Sequence, residues 1–194
     1  KCDPTGMVEI IPGALWMDIY LASEDGTAWP NTIPLSEYNA TPVTGDEGYA
    51  LYYDYLRLAR NAGKRLPTPQ EWMAASYGVP QGATGQGGRI NTGQTTGYGF
   101  DPVSCLNIDQ PAGNVYQSTD SLHLESSASG WTSSTDAGKD SNENHGDAYG
   151  SNTRVMTMGG GWSDGAEAGA RCSYRYDPWN VVSYGGFRAA CDSL

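Results

Sequence analysis

Long apolar runs are missing from this chain, and no stretch approaches the roughly 20 consecutive apolar residues that cross a bilayer. The N-terminus also lacks a basic segment followed by an apolar signal core. No membrane insertion is expected, and an export signal or an upstream anchoring region would have to lie before Lys1, which is not Met. Positive charge is scarce: 11 Lys and Arg stand against 22 Asp and Glu, a formal net charge of -11. Such a field repels polyanions, so no nucleic-acid partner is expected. Histidine is limited to His123 and His145, too few for a mononuclear His-rich metal site. The 4 cysteines show no CxxC spacing that would suggest zinc or redox chemistry. No Gly-x-Ser-x-Gly elbow occurs, and the glycine-rich span from Gly82 to Gly88 lacks the Lys-Ser/Thr ending of a phosphate loop. From these absences no catalytic residue, no metal and no cofactor is expected.

What the chain has is turn formers and aromatics. With 26 Gly and 13 Tyr in 194 residues, it reads as one irregular, loop-rich unit over 1–194, large enough to bury a core. Met7 to Ala22 carries β-branched and aromatic residues on both sides of Pro12-Gly13, which predicts a hairpin. Between Asp46 and Ala62, Tyr49, Tyr52, Tyr53, Leu56 and Ala59 or Arg60 recur at helical spacing, with Gly63 to close the helix. That stripe reads as core. Thr68, Pro69 and Glu71 form a capping box with proline at the first helical position, which starts a second short helix. Val79 to Pro111 and Ser118 to Asn152 are polar and glycine-rich and read as long loops around a fixed scaffold, or as one disordered stretch. Arg154 to Leu194 reads as strands flanking a long exposed loop.

Blocks spread along the chain carry a family resemblance. Gly63-Lys-Arg-Leu-Pro-Thr-Pro-Gln-Glu-Trp72, Ala112-Gly-Asn-Val-Tyr116, Gly159-Gly-Gly-Trp162 and Gly186-Phe-Arg188 come in the order of the formylglycine-generating-enzyme branch of the C-type lectin fold. The opening Met-Val-Glu-Ile-Ile-Pro-Gly resembles that branch too, so the likeness runs over most of the chain outside the loops. It implies an α+β C-type lectin fold with two short helices, small antiparallel sheets and long ordered loops. Within the branch, Ala-Gly-Ala-Arg-Cys172 and the closing Gly-Phe-Arg-Ala-Ala-Cys-Asp-Ser-Leu make the chain similar to the variable proteins of diversity-generating retroelements, phage tropism determinants among them.

That resemblance implies a non-catalytic, hypervariable binding protein whose diversity is written in the last segment, here at about 159–188. Diversification at template adenines of AAY codons never yields Glu, Lys, Gln, Met or Trp, so Trp162, Glu167 and Trp179 are expected to be fixed. The implied ligand-binding residues are Gly161, Ser163, Asp164, Tyr174, Tyr176, Asp177, Trp179, Asn180, Val182, Ser183 and Tyr184. Tyrosine and tryptophan give large contact area at low entropic cost, which suits recognition of a protein or surface receptor from a virion or cell surface. The alternatives are tyrosines filling a small core beneath the loops, an invariant structural or adhesin module, and a formylglycine-generating cysteine oxidase. The oxidase needs a pair of close thiols after the Gly-Gly-Trp block, where only Cys172 stands, aligned with a structural cysteine.

Cys172 and Cys191 could join across the variable segment, worth about 3 kcal/mol in the chain-entropy model. Pairings with Cys105, or free thiols, stay open. Asp140 to Asp147 superficially suggests a calcium loop, but its glycine is displaced and no terminal Glu follows, so it reads as a solvated loop.

Overall fold

The computed structural model describes residues 2–133 and 147–192. The chain opens with β1 (Met7–Ile11) and β2 (Leu15–Asp18), antiparallel across a turn in which Gly13 takes a φ of 70°. This is the predicted hairpin. A second small pair follows, β3 (Ala22–Glu24) with β4 (Pro34–Ser36).

The first helix, α1 (Tyr52–Asn61), starts later than the Asp46 expected, because Gly45–Glu47 forms a separate 3-10 turn capped by Thr44. Its buried face is Tyr52, Tyr55, Leu58 and Ala59. Of the predicted stripe, Tyr52 and Ala59 are core, Tyr49 and Leu56 pack at the core's margin, and Tyr53 is exposed. The second helix, α2 (Pro69–Ala75), has the expected capping box: the Glu71 N–H donates to Thr68 Oγ1 at 3.2 Å, and the Thr68 N–H to Glu71 Oε2 at 2.8 Å.

The connection from Val79 to Pro111 is an ordered loop, as expected. Buried amide side chains replace the missing secondary structure. Asn114 Nδ2 donates to the Ile90 carbonyl and to Gln110 Oε1, both at 2.9 Å, while Asn114 Oδ1 accepts the Ile90 N–H at 3.0 Å. Gln110 Nε2 donates to the Asn91 and Gln94 carbonyls. Buried polar groups must be paired, and among the described residues every buried side-chain N or O finds a partner.

The expected loop from Ser118 to Asn152 is instead mostly strand: β5 (Tyr116–Ser133) and β6 (Asp147–Gly159) form a long antiparallel hairpin. The sequence is polar at consecutive positions, so the period-two alternation of a half-buried strand never shows. Its regular structure comes from the ladder to a distant partner strand. β6 also pairs with β7 (Gly169–Tyr176), and β8 (Gly185–Gly186) adds to β5 in parallel, giving the sheet order β7-β6-β5-β8. The sheets are therefore not all antiparallel, and part of the expected exposed loop after Arg154 is strand. β9 (Ala190–Asp192) returns to pair with β2 beside β1.

The cysteine pairing left open by the sequence is decided by the fold. Cys2 pairs with Cys191, while Cys105 and Cys172 are free. The β2–β9 ladder sets Trp16 opposite Cys191 and packs Cys2, Met7 and Cys191 together. A crosslink over a sequence separation of 189 residues is worth about 5 kcal/mol in the chain-entropy model.

Candidate functional site

The blocks that carry the resemblance converge beneath the C-terminal segment. Arg188, on the chain between β8 and β9, is wholly buried and donates from Nε to Gln117 Oε1 at 2.6 Å. Its other nitrogens reach the carbonyls of Asp18 at 2.9 Å, Ile19 at 2.6 Å and Asp109 at 2.7 Å. Gln117 Oε1 also accepts Trp72 Nε1–H at 2.9 Å, and Gln117 Nε2 donates to the Pro111 carbonyl at 2.9 Å. Next to this network Lys64 Nζ meets Asp18 Oδ1 at 2.6 Å, both buried; burial outweighs Lys64 and holds the Asp18 carboxyl above its usual range. Gly159 ends β6 at a φ of 96°, and a Cβ there would lie 2.3 Å from the Pro111 carbonyl oxygen. Only glycine fits that crossing.

On this frame one face of the four-stranded sheet changes character along its length. Tyr116 and Ser118 of β5 share a face, as do Cys172, Tyr174 and Tyr176 of β7, since alternate strand residues point the same way. At one end the face is open, and Tyr174 is 47% exposed. At the other end α1 and Phe187 roof it, and Tyr176 is only 5% exposed within the cluster of Tyr52, Tyr55 and Val155. The Tyr176 hydroxyl lies 3.0 Å from Ser118 Oγ, and burial raises its pKa. Tyr176 is therefore buried in the core, although it also borders the larger of the two hollows described below.

The remaining expected residues divide as follows. Ser163 and Ser183 are exposed, and Asp164, Asp177, Trp179, Asn180, Val182 and Tyr184 are half-buried. Gly161 is buried and donates its N–H to Asp164 Oδ2 at 2.7 Å. Asp177 pairs with Arg154 Nη1 at 2.5 Å, and the Asp177 carbonyl accepts the Asn180 N–H at 2.9 Å. Trp179 lies 5.3 Å from the ring of Tyr53 on α1. Val182 packs against the core, and its carbonyl accepts the Gly45 N–H at 3.0 Å. The Tyr184 carbonyl accepts the Tyr116 N–H at 2.8 Å.

The structure brings most of the expected residues around two adjoining hollows, with Trp179, Val182 and Ser183 outside both linings. One, of about 190 Å³, is lined by Tyr116, Gly161, Ser163, Asp164, Tyr174 and Tyr184. The other, of about 350 Å³, lies among Arg154, Ser173, Tyr174, Arg175, Tyr176, Asp177, Asn180 and Tyr184. Tyr116, Arg154, Ser173 and Arg175 were not among the residues expected from sequence. Tyr116 closes a block that reads as scaffold; its place in the site follows from the parallel bridge that sets it opposite Gly185. Arg154 and Arg175 enter through the β6–β7 ladder, which no local pattern announces.

Electrostatics argue against an activated thiol. Burial and then the Asp164 carboxylate push the Cys172 pKa up, the opposite of what a nucleophilic cysteine needs. Burial and then hydrogen bonding to Asp164 raise the Tyr116 phenol well above its ordinary value. Among the described residues no group of three or more His, Cys, Asp or Glu could hold a metal ion. His145 and all of the calcium-like stretch before Asp147 lie outside the described residues. No described helix is long and apolar enough to cross a membrane.

No protein-family model matches the chain. It is 27% identical over 206 residues to a tail fiber receptor-binding protein of Bordetella phage BPP-1, a match that covers 99% of this chain and 53% of the relative. The chain thus spans about half the length of the curated relative it matches. Among solved structures, the Major Tropism Determinant M1 variant aligns with a TM-score of 0.74 and 26% identity over 99% of this chain and 53% of its own. The U1 variant aligns with a TM-score of 0.74 and 25% identity over 99% and 54%. PvdO from Pseudomonas aeruginosa, at 16% identity and a TM-score of 0.51 over 93% of this chain and 80% of its own, shares the fold alone. In architecture this chain has the C-type lectin fold, in the form it shares with the tropism determinants.

Proposed function

We propose that residues 1–194 form a single non-catalytic receptor-recognition domain, diversified by a retroelement, that presents interchangeable side chains from about 159–188 to a protein or surface receptor of a host. A place at a virion or cell surface goes with that reading. One observation carries it: the display positions Ser163, Tyr174, Ser183 and Tyr184 stand on or near the surface, while Arg188, Gln117 and Trp72 beneath them are buried and fully hydrogen-bonded. Surface positions on a rigid frame tolerate exchange that core positions do not. The similarity to a relative named as a receptor-binding protein supports the same reading.

Two of the residues closed to adenine-directed change have structural work. Trp179 sets its ring 5.3 Å from that of Tyr53 at a tilt of 32°, and the half-buried Trp162 accepts the Gly85 N–H on its carbonyl at 2.9 Å. Tyr176, whose codon class is open to change, is buried at the edge of the larger hollow, so exchange there also acts on the core.

The test is to sequence the encoding locus across a natural population. The expected result is a nearby near-copy of the segment and substitutions at Ser163, Tyr174, Asp177, Asn180, Ser183 and Tyr184, with Trp162, Glu167 and Trp179 constant. An invariant segment without a template copy overturns diversification. Alanine at both Tyr174 and Tyr184 with undiminished adsorption to host cells overturns the site.

A further inference from the structure

The smaller hollow is built from groups that select for one sign of charge. Tyr116 forms its floor, with Tyr174 at a ring separation of 5.5 Å and 44° and Tyr184 at 6.1 Å and 71°. The two outer rings come from separate parts of the chain, β7 and the turn before β8, and so wall the hollow from different sides. Asp164 and Ser163 complete the lining, and no Lys, Arg or His contributes to it. The Asp164 carboxylate is held in place by the Gly161 N–H at 2.7 Å. Ring faces carry the negative end of the aromatic quadrupole, and the carboxylate adds a full negative charge. The net charge of -11 deepens the potential. An anion is repelled here, and an uncharged apolar group would strip water from Asp164 without compensation. The larger hollow next to it, with Arg154 and Arg175 in its wall, has the opposite character.

We propose that this hollow is an aromatic cage for an organic cation. A volume of about 190 Å³ admits an ammonium, guanidinium or trimethylammonium head but not a folded segment. The biological source of the cation, a group on the receptor surface, rests on the receptor-recognition reading; the chemistry of the cage does not. Because Tyr174 and Tyr184 fall in the segment expected to vary, the cage is a specificity of this chain's own side chains on a scaffold tyrosine.

The experiment is a calorimetric and NMR titration of the protein with choline, with dimethylbutanol as its uncharged isostere, and with capped lysine and capped arginine. The expected result is that choline or one of the capped amino acids binds at least about tenfold more tightly than dimethylbutanol, with shifts confined to the rings of Tyr116, Tyr174 and Tyr184. Tyr184→Ala and Asp164→Asn each weaken that binding about tenfold, whereas Tyr174→Phe, which keeps the ring face, retains it. Preference for lysine or arginine identifies a protein side chain as the source, and preference for choline a quaternary ammonium group; either supports the cage. Binding of choline and of both capped amino acids no tighter than that of dimethylbutanol, or binding of no cation, overturns it. If Tyr184→Ala abolishes host adsorption while no cation binds, the cage falls and receptor recognition stands. If cations bind and adsorption is unchanged, the cage stands and receptor recognition at this surface falls.

Discussion

Tyr174 and Tyr176 sit two residues apart on the same face of β7, yet one is 47% exposed and the other 5%. The same contrast holds between larger regions. The frame of Trp72, Gln117, Arg188, Asp18 and Lys64 is buried, and each of its polar groups depends on a particular partner. The segment from Gly161 to Tyr184 is tied by main chain at Gly161, Val182 and Tyr184 and by side chain at Tyr176, Asp177 and Trp179. Anchoring by main chain leaves the side chains free to change; anchoring by side chain fixes them. The protein uses the second device throughout the frame and alternates the two in the segment above.

That division can be broken most severely at Arg188. Arg188→Met takes one donor from Gln117 Oε1, which keeps Trp72 Nε1–H, and from the buried carbonyls of Asp18, Ile19 and Asp109, and should cost about 4 kcal/mol or more. Urea unfolding should show a large fall in midpoint or no folded protein; a loss under about 1 kcal/mol would mean that the frame is not held by this side chain.

The paired variants Tyr176→Ala and Tyr174→Ala sharpen the comparison along one strand. The first should cost about 3 kcal/mol by opening a cavity among Tyr52, Tyr55 and Val155. The second should change stability by no more than about 0.5 kcal/mol while weakening ligand binding. Similar thermal shifts for both would erase the distinction between core and display ends.

Asp109 allows a test of the frame by pH. Its carbonyl accepts from Arg188, and its carboxylate accepts the Gly93 N–H at 2.8 Å. Burial raises its pKa from 3.8 to about 6, against the opposing Gly93 hydrogen bond and the Arg188 charge. A folded-state carboxyl pKa above the unfolded value means that the folded protein binds more protons between the two. This group's contribution therefore favours folding at low pH and is lost as pH rises from about 4 to about 6. Compared with Asp109→Asn, the parent should lose about 2 kcal/mol of stability between pH 4 and pH 7. Parallel stability curves for the two proteins would show that Asp109 titrates normally.

A small effect is also expected at Gly161. An added Cβ would rest 3.3 Å from the Tyr116 ring, and no positive φ holds that position to glycine. Gly161→Ala should cost less than about 1 kcal/mol, measured by thermal unfolding, while Gly159→Ala, pressed against the Pro111 carbonyl, should cost more than twice as much. Equal costs would move Gly161 from the display surface to the frame.

Local signals were legible wherever a few neighbouring residues decide the structure. The Thr68-Pro69-Glu71 cap, the Pro12-Gly13 turn and the closing Gly63 act within a turn of chain, and the structure has each where the sequence placed it. The blocks that bracket the proposed display segment were legible too. The β5–β6 hairpin was not, because its strands are polar at consecutive positions and their order comes from each other. Nor was the site complete, since Tyr116, Arg154, Ser173 and Arg175 reach it only through strand pairing.

By itself the sequence determined the start of the second helix, the close of the first, the first hairpin, the net negative charge and the frame residues on which a C-type lectin fold depends. Tertiary structure alone decided which tyrosines are core and which are display, that Cys2 and not Cys172 meets Cys191, and that three rings and a carboxylate share one hollow. The physical reason is range. Caps and turns are settled by hydrogen bonds within a few residues, whereas burial, disulfide partners and the walls of a site are settled by elements far apart in the chain, whose meeting no local pattern encodes.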